Sequence, residues 1–243
     1  MKCPGQDSRF WKQDAIRESK CPQCGQSVEF FKDDTARKCP HCGHRFVNPE
    51  MDFGCAAYCQ FAEQCLGTLP EEIKDRQQDL LKDRVGMEMR KTFKTDSKRI
   101  RHATTVARHA ERIGKDEGGN LGVIIMAAYL HDIGIVEAER KHGSTAPRYQ
   151  HQEGPPIARQ ILERLGAEEG LVNEVCDIVG HHHHPGDNES LNFKVVYDAD
   201  LITNLEEEQA EGPKDRDQLA SIIEKASLTE SGRSLARDVL GLR

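Results

Sequence analysis

Apolar residues recur at helical spacing through most of the second half of the chain, and this predicts a mainly α protein. One stripe joins His102, Val106, Ala110 and Ile113. A second segment, Leu121 to His131, is apolar on nearly every side, as a helix surrounded by other helices would be. A third helix is expected to start near Pro155 and Pro156, because proline suits a first turn, and then to present Ile157, Ile161, Leu162 and Leu165 on one face. A fourth carries Leu171, Val172, Val175, Ile178 and Val179 and runs into His181, and a fifth carries Val195, Val196, Ala199 and Ile202. Between the second and third, residues 137 to 154 are polar with glycine and proline, and read as a lid or loop. Residues 70 to 97 are charged and proline-free after Pro70, which suits an exposed helix. Residues 207 to 243 begin acidic and turn amphipathic at Leu219, Ile222, Ile223, Leu235, Val239 and Leu240. The first 68 residues differ in texture, with a strand-like run at Val28 to Phe31 among cysteine, glycine and proline. The expected organisation is a Cys-rich β/turn module (1–68), a helical linker (69–97), a helical domain (98–206) and a C-terminal helical extension (207–243).

Composition narrows the function classes. The net charge is −7, so no global nucleic-acid footprint exists, and any phosphate contact must come from a local site. No uniformly apolar run reaches the ~20 residues that cross a bilayer. Met1-Lys2-Cys3-Pro4 opens no apolar signal core. No membrane association and a cytoplasmic location are expected.

Eight of the nine cysteines lie in the first 65 residues. In a reducing compartment, closely paired cysteines are more often metal ligands than disulfides. Cys21-Pro-Gln-Cys24-Gly25 and Cys39-Pro-His-Cys42-Gly43 are two tight turns whose glycines let the backbone curl around an ion. Four thiolates at this spacing suit a closed, tetrahedral, structural zinc, as in a zinc ribbon. Cys3, Cys55, Cys59 and Cys65 make a second set of four, able by count to hold zinc or an iron–sulfur cluster. Cys176 falls on the apolar side of a helix and reads as core.

Each successive helix in 98–206 also delivers an imidazole or carboxylate near an end. His102 lies on the first stripe, and His131-Asp132 closes the most apolar helix. His151 precedes the third helix, His181 and His182 close the fourth, and Asp198 and Asp200 lie on the fifth. Buried polar groups need partners, and a metal is one. Converging nitrogen and oxygen donors suit Mn, Fe, Ni, Co or Zn. Asp198 and Asp200 point about 200° apart on a helix, so only one of them should face a given ion, and periodicity leaves both open. His182 lies nearer its helix's apolar face than His181.

The order His102, His131-Asp132, Asp200 resembles the HD superfamily of metal-dependent phosphohydrolases, as do the segments RHATTVARHAERI, AAYLHDIGI, QHQEGPPIARQIL and VYDADLI. The resemblance implies an HD-type helical bundle in which His102, His131, Asp132 and Asp200 hold one ion. His151 with His181 or His182 would hold a second, with Asp132 able to bridge. The family block favours Asp200, with Asn204 as its orienter, and His181. Members that cleave cyclic dinucleotides carry lysine after HDIG, whereas Ile135 stands here and no GYP-type motif is present.

The activity implied is metal-assisted hydrolysis of a phosphorylated small molecule, a phosphomonoester or phosphodiester of nucleotide type. Asp132, with His131, activates water, and Lys141 or His142 donates a proton to the leaving oxygen. Two competing readings follow from the same residues. In one, the chain is a regulatory or ligand-sensing protein whose Cys-rich module contacts protein or nucleic acid. In the other, which the resemblance implies because a few members of the HD fold use a di-iron site, it is a di-iron oxygenase.

Overall fold

The computed structural model describes residues 16–31, 34, 36–49, 56, 62, 71–212 and 214–242. The chain divides into two compact units, residues 1–80 and 81–243.

The first unit contains two small hairpins. Strand β1 (Ile16–Lys20) pairs antiparallel with β2 (Ser27–Phe31), and β3 (Ala36–Lys38) pairs with β4 (Arg45–Val47). Each hairpin turns through one of the Cys-Pro-x-Cys-Gly segments. Gly25 and Gly43 sit at φ +73° and +74°, a left-handed backbone that glycine adopts without a Cβ penalty. Val28, Phe30, Cys21 and Cys39 form a minimal core, closed by Phe46, whose ring meets Phe30 edge-on at 5.2 Å. The second cysteine set, Cys3, Cys55, Cys59 and Cys65, lies outside the described residues.

The second unit is a helical bundle built around one apolar helix. The chain enters it through α1 (Glu71–Phe93), followed by α2 (Ser97–Glu117) and α3 (Leu121–Leu130). Asn120 caps α3 by accepting from the amides of Gly122 and Val123. Gly122 to Ala128 and Leu130 are all buried. With apolar side chains on every side, α3 is stable only at the centre, and α2, α6 (Glu169–His181) and α7 (Leu191–Glu211) pack around it. Each fully buried Ile, Met or Leu contributes ~1.5–3 kcal/mol, so α3 anchors whatever follows it. A stretch within Leu121–His142 is long and apolar enough by composition to cross a membrane, but 72% of it is buried in the protein and it includes Asp132 and Glu137.

Four features depart from the sequence reading. Residues 137 to 154 are not a loop: α4 (Ile135–His142) ends at Gly143 in a left-handed turn, and α5 (Pro147–Leu165) begins eight residues before Pro155. Pro147 is the proline in the first turn, whereas Pro155 and Pro156 lie inside the helix, so His151 is helical. The exposed helix expected over 70–97 buries Val85, Met89 and Phe93 in the bundle core. The helix bearing Asp200 continues past residue 206 to Glu211. Finally, α8 (Arg216–Ala226) and α9 (Glu230–Val239) are not an appendage, because Leu219, Ile223, Leu235 and Ala236 join the same core. In each case long-range packing overrides a local signal.

One close approach positions two parts of the site. Gly134, just after His131-Asp132, lies against α5 so tightly that an added Cβ would stand 2.6 Å from both the Gln150 carbonyl oxygen and the Gly154 nitrogen. Gln150 and Gly154 bracket His151.

Candidate metal centre

His102 stands on α2, His131 and Asp132 form the turn after α3, and Asp200 lies on α7. The bundle brings them together. His102 Nε2 is 3.3 Å from His131 Nε2 and 3.1 Å from Asp200 Oδ1, and His131 Nε2 is 3.6 Å from the same oxygen. Asp132 Oδ2 is 3.5 Å from His131 Nε2 and 3.9 Å from His102 Nε2, while its Oδ1 is 3.7 Å from His182 Nε2. Asp132 therefore stands between two donor groups.

The choice between the two aspartates follows from their partners. Asp198 points away: its carboxylate accepts from the Leu228 and Thr229 amides and the Thr229 hydroxyl at 2.7–2.8 Å, and so fastens the link between α8 and α9. Asp200 faces the histidines, and Asn204 one turn later donates to its Oδ1 at 3.0 Å.

The ring nitrogens provide a test of whether these residues suit a metal. The Nδ1 of His131 donates to the Ala128 carbonyl at 2.7 Å, and that of His182 donates to the Val179 carbonyl at 3.1 Å. A carbonyl can only accept, so Nδ1 carries the proton, and in the neutral ring Nε2 is left with a lone pair aimed at the cluster. His182 Nε2 is buried with no hydrogen-bond partner. Two nitrogens bound at the usual 2.0–2.1 Å to a tetrahedral ion stand about 3.3 Å apart, which matches the His102–His131 separation. The donor set fits a divalent transition metal.

Electrostatics point the same way. Burial disfavours charge on His131, yet Asp132 and Asp200 push its pKa up to about 9. Against its burial, His131 and His182 hold Asp132 well below the usual carboxylate range. Burial likewise opposes the charged forms of His102 and Asp200, but their mutual hydrogen bond raises the first and lowers the second. Two carboxylates thus draw positive charge into a buried pocket.

A second cluster adjoins the first. His151 Nε2 is 3.1 Å from His183 Nδ1, and His182 completes a group of three within metal-ligating reach of one another. Burial, then the neighbouring histidines, lower His151 to about 4; burial and His182 lower His183 to about 4. Both rings are neutral near pH 7, the form in which imidazole binds metal.

Several expected site residues are placed differently. His181 turns outward from the cluster, hydrogen-bonds Glu189 at 3.2 Å and stacks on Phe193 at 4.6 Å. His183, which the sequence reading did not include, takes a place beside His151; the HHHH run at 181–184 was the available signal. Lys141 and His142 both bind Glu153, at 2.6 and 3.0 Å, and His142 stacks on Tyr149. Their donors are engaged by a carboxylate two residues beyond His151. Cys176 is buried in the bundle, its thiol donating to the Pro155 carbonyl.

In the N-terminal unit, Cys21, Cys24, Cys39 and Cys42 form a four-sulfur cluster. Cys21 Sγ is 3.6 Å from Cys42 Sγ, and Cys24 Sγ is 3.6 Å from Cys39 Sγ. The Cys42 and His41 amides draw Cys39 down to about 6. Despite the lowering pull of the Gln26 amide, burial and the neighbouring sulfurs push Cys24 up to about 12. Four sulfurs this close cannot all ionise without a cation between them, which is the arrangement a structural metal requires.

The HD domain family model matches residues 99–225, just over half of the chain. The crystal structure of a predicted HD superfamily hydrolase from an uncultured Thermotogales bacterium resembles the chain with a TM-score of 0.50 and 24% identity, over 65% of this chain and 84% of that one. Bacillus subtilis YpgQ matches at a TM-score of 0.48 and 20% identity, over 68% of this chain and 90% of its own. No curated protein matches. At 24% identity the likeness to the first of these concerns the fold. The match over 99–225 includes every residue of both histidine clusters, and the chain belongs to the HD domain family.

Proposed function

We propose that the chain is a metal-dependent phosphohydrolase acting on a phosphorylated small molecule of nucleotide type. The observation that carries this reading is the convergence of imidazole Nε2 atoms and two carboxylates in one buried pocket, with the opposite ring nitrogens of His131 and His182 held by backbone carbonyls. His102, His131, Asp132 and Asp200 would hold one ion of Mn, Fe, Ni, Co or Zn. His151, His182 and His183 would hold a second, with Asp132 between. A bound ion lowers the pKa of water and offsets charge on phosphoryl oxygens.

The chain's own residues do the rest. Asp132, facing both clusters, accepts the proton of the attacking water at Oδ1 or Oδ2. Asn204 fixes the Asp200 carboxylate, so that its orientation is not lost to rotation. Lys141 and His142 are not assigned to leaving-group protonation, because Glu153 engages both. The N-terminal unit is a zinc module of four thiolates, and its partner, protein or nucleic acid, is a separate question from turnover. A cytoplasmic location belongs to the same proposal, since closely paired cysteines held as metal-binding thiolates suit a reducing compartment.

The test is a panel of chromogenic phosphomonoesters and phosphodiesters with metal-loaded protein. The wild type turns over at least one class, and His131→Ala combined with Asp132→Ala turns over none. Equal turnover by that variant removes the assignment. The same histidine-rich donor set also suits iron, so oxygen uptake by the reduced, iron-loaded protein, without phosphate release, would favour the oxygenase reading.

A further inference from the structure

Three ring nitrogens face away from the clusters toward a fixed acceptor, and one acceptor differs in kind. His131 and His182 each donate from Nδ1 to a backbone carbonyl three residues earlier. His102 has no such arrangement. Its Nδ1 stands 3.1 Å from Glu207 Oε1, a side chain from another helix, 105 residues along the chain.

Glu207 occupies a particular place on α7. Asp200, Asn204 and Glu207 are spaced i, i+4, i+7, which sets all three on one face of the helix. Asp200 meets His102 at Nε2, Asn204 clamps Asp200, and Glu207 reaches over the far side of the same imidazole to Nδ1. One helix face therefore grips both nitrogens of His102. A carboxylate on Nδ1 fixes the tautomer and ring orientation, as a backbone carbonyl does, and in addition makes Nε2 a stronger donor by stabilising positive charge on the ring.

We infer that Glu207 is a positioning residue for the first metal site, setting the affinity of the His102, His131, Asp132, Asp200 set through the His102 imidazole. The inference rests on the metal reading of that cluster. It adds a residue that touches neither the ion nor the substrate. Glu207 is also part-exposed, with 35% of its side chain accessible, so it can be altered without opening the core.

The neighbouring residue supplies a control. Glu206 makes the same kind of pair, 2.7 Å to His109 Nε2, also between α7 and α2. His109 belongs to none of the metal-ligating groups among the described residues. Glu206→Gln therefore changes charge and an interhelical bond by the same amount as Glu207→Gln without touching a ligand.

The experiment is Mn(II) and Co(II) binding to chelator-stripped full-length protein, measured by competition with a fluorescent chelator, with apo melting temperatures recorded alongside. Glu207→Ala weakens one site about 10–100-fold, the usual cost of losing a ligand's outer partner. Glu207→Gln, which keeps an acceptor oxygen but not the charge, falls between Ala and wild type. Glu206→Gln binds like wild type. Wild-type affinity in Glu207→Ala, or the same loss in Glu206→Gln, overturns the inference. His131→Ala separates this from the parent reading. If the wild type binds no metal at this site, or His131→Ala does not weaken binding, the metal reading falls and takes the inference with it. If His131→Ala weakens binding and Glu207→Ala does not, only the inference falls.

Discussion

Gly134→Ala tests how the turn after His131-Asp132 is coupled to the helix that carries His151. The backbone at Gly134 is ordinary, φ −73° and ψ −17°, so alanine is not strained there by conformation. The cost comes from space. The new methyl would lie 2.6 Å from the Gln150 oxygen and the Gly154 nitrogen and 2.9 Å from Gly154 Cα, all backbone atoms, where ordinary contact begins at 3.4 Å. Neither partner can rotate away, so α5 must retreat by roughly 0.8 Å in a close-packed interior. Overpacking of this kind costs ~1–3 kcal/mol. The reduced backbone entropy of the unfolded chain returns ~0.4–1 kcal/mol. The net loss is on the order of 1–2 kcal/mol, a fall in Tm of roughly 2–8 °C at this size. The retreat also carries His151 away from His182 and His183, and a misplacement near 1 Å can cost ~100-fold in turnover. Gly170→Ala is the matched control, because a Cβ there meets nothing within 4 Å, and it is expected to be neutral or mildly stabilising. Urea denaturation of the apo proteins gives the first quantity, and phosphate-ester turnover, read with metal stoichiometry, the second. Gly134→Ala with wild-type stability and full metal binding would refute the coupling.

Four further outcomes follow from named contacts. Asp198→Ala strands the Leu228 and Thr229 amides and the Thr229 hydroxyl, at ~1–3 kcal/mol for each buried group left unpaired, and should unfold early in urea while retaining metal binding. Asp200→Ala should lose metal with little loss of apo stability, and a reversed pattern would contradict the placement of the two aspartates. Lys91, then Arg164 from α5, hold Glu88 below its usual 4.5, so its contribution is present above that value and is lost as pH falls through the depressed one. The Tm gap between wild type and Glu88→Gln should therefore be constant from pH 6 to 8 and close below about pH 4.5, and a gap that widens in acid would be the wrong sign. Stripping metal from the four thiolates should melt the hairpins of the N-terminal unit, whose core among the described residues is Cys21, Val28, Phe30 and Cys39 with Phe46 against it, and unchanged amide spectra there would contradict a structural metal.

The helices were legible wherever one face alone was apolar. The stripes on α2, α6 and α7 follow simple periodicity, and the all-apolar α3 announces its central position. Pro155-Pro156 misled because a proline pair is a strong local start signal, and only tertiary packing carries a helix through it. Which of two nearby side chains faces inward was the other limit. Asp198 and Asp200 differ in their distant partners, which lie 30 or more residues away, and no short window of sequence contains them. His183 was missed because the turn after α6 departs from helical geometry, so a 100° step per residue no longer says where its ring points. Glu207 sat in an acidic run that reads as a solvated face, and its role depends on the register of α7 against α2.

The central claim is that the histidine–aspartate cluster holds the metal that hydrolysis needs. The most direct measurement counts metal per chain and phosphate-ester turnover together, on wild type and on His131→Ala with Asp200→Ala, purified without added metal. The account predicts that the variant loses the metal held by His102, His131, Asp132 and Asp200 and all turnover, while keeping the thiolate-held metal of Cys21, Cys24, Cys39 and Cys42. Turnover that persists in a variant stripped of that metal would contradict it.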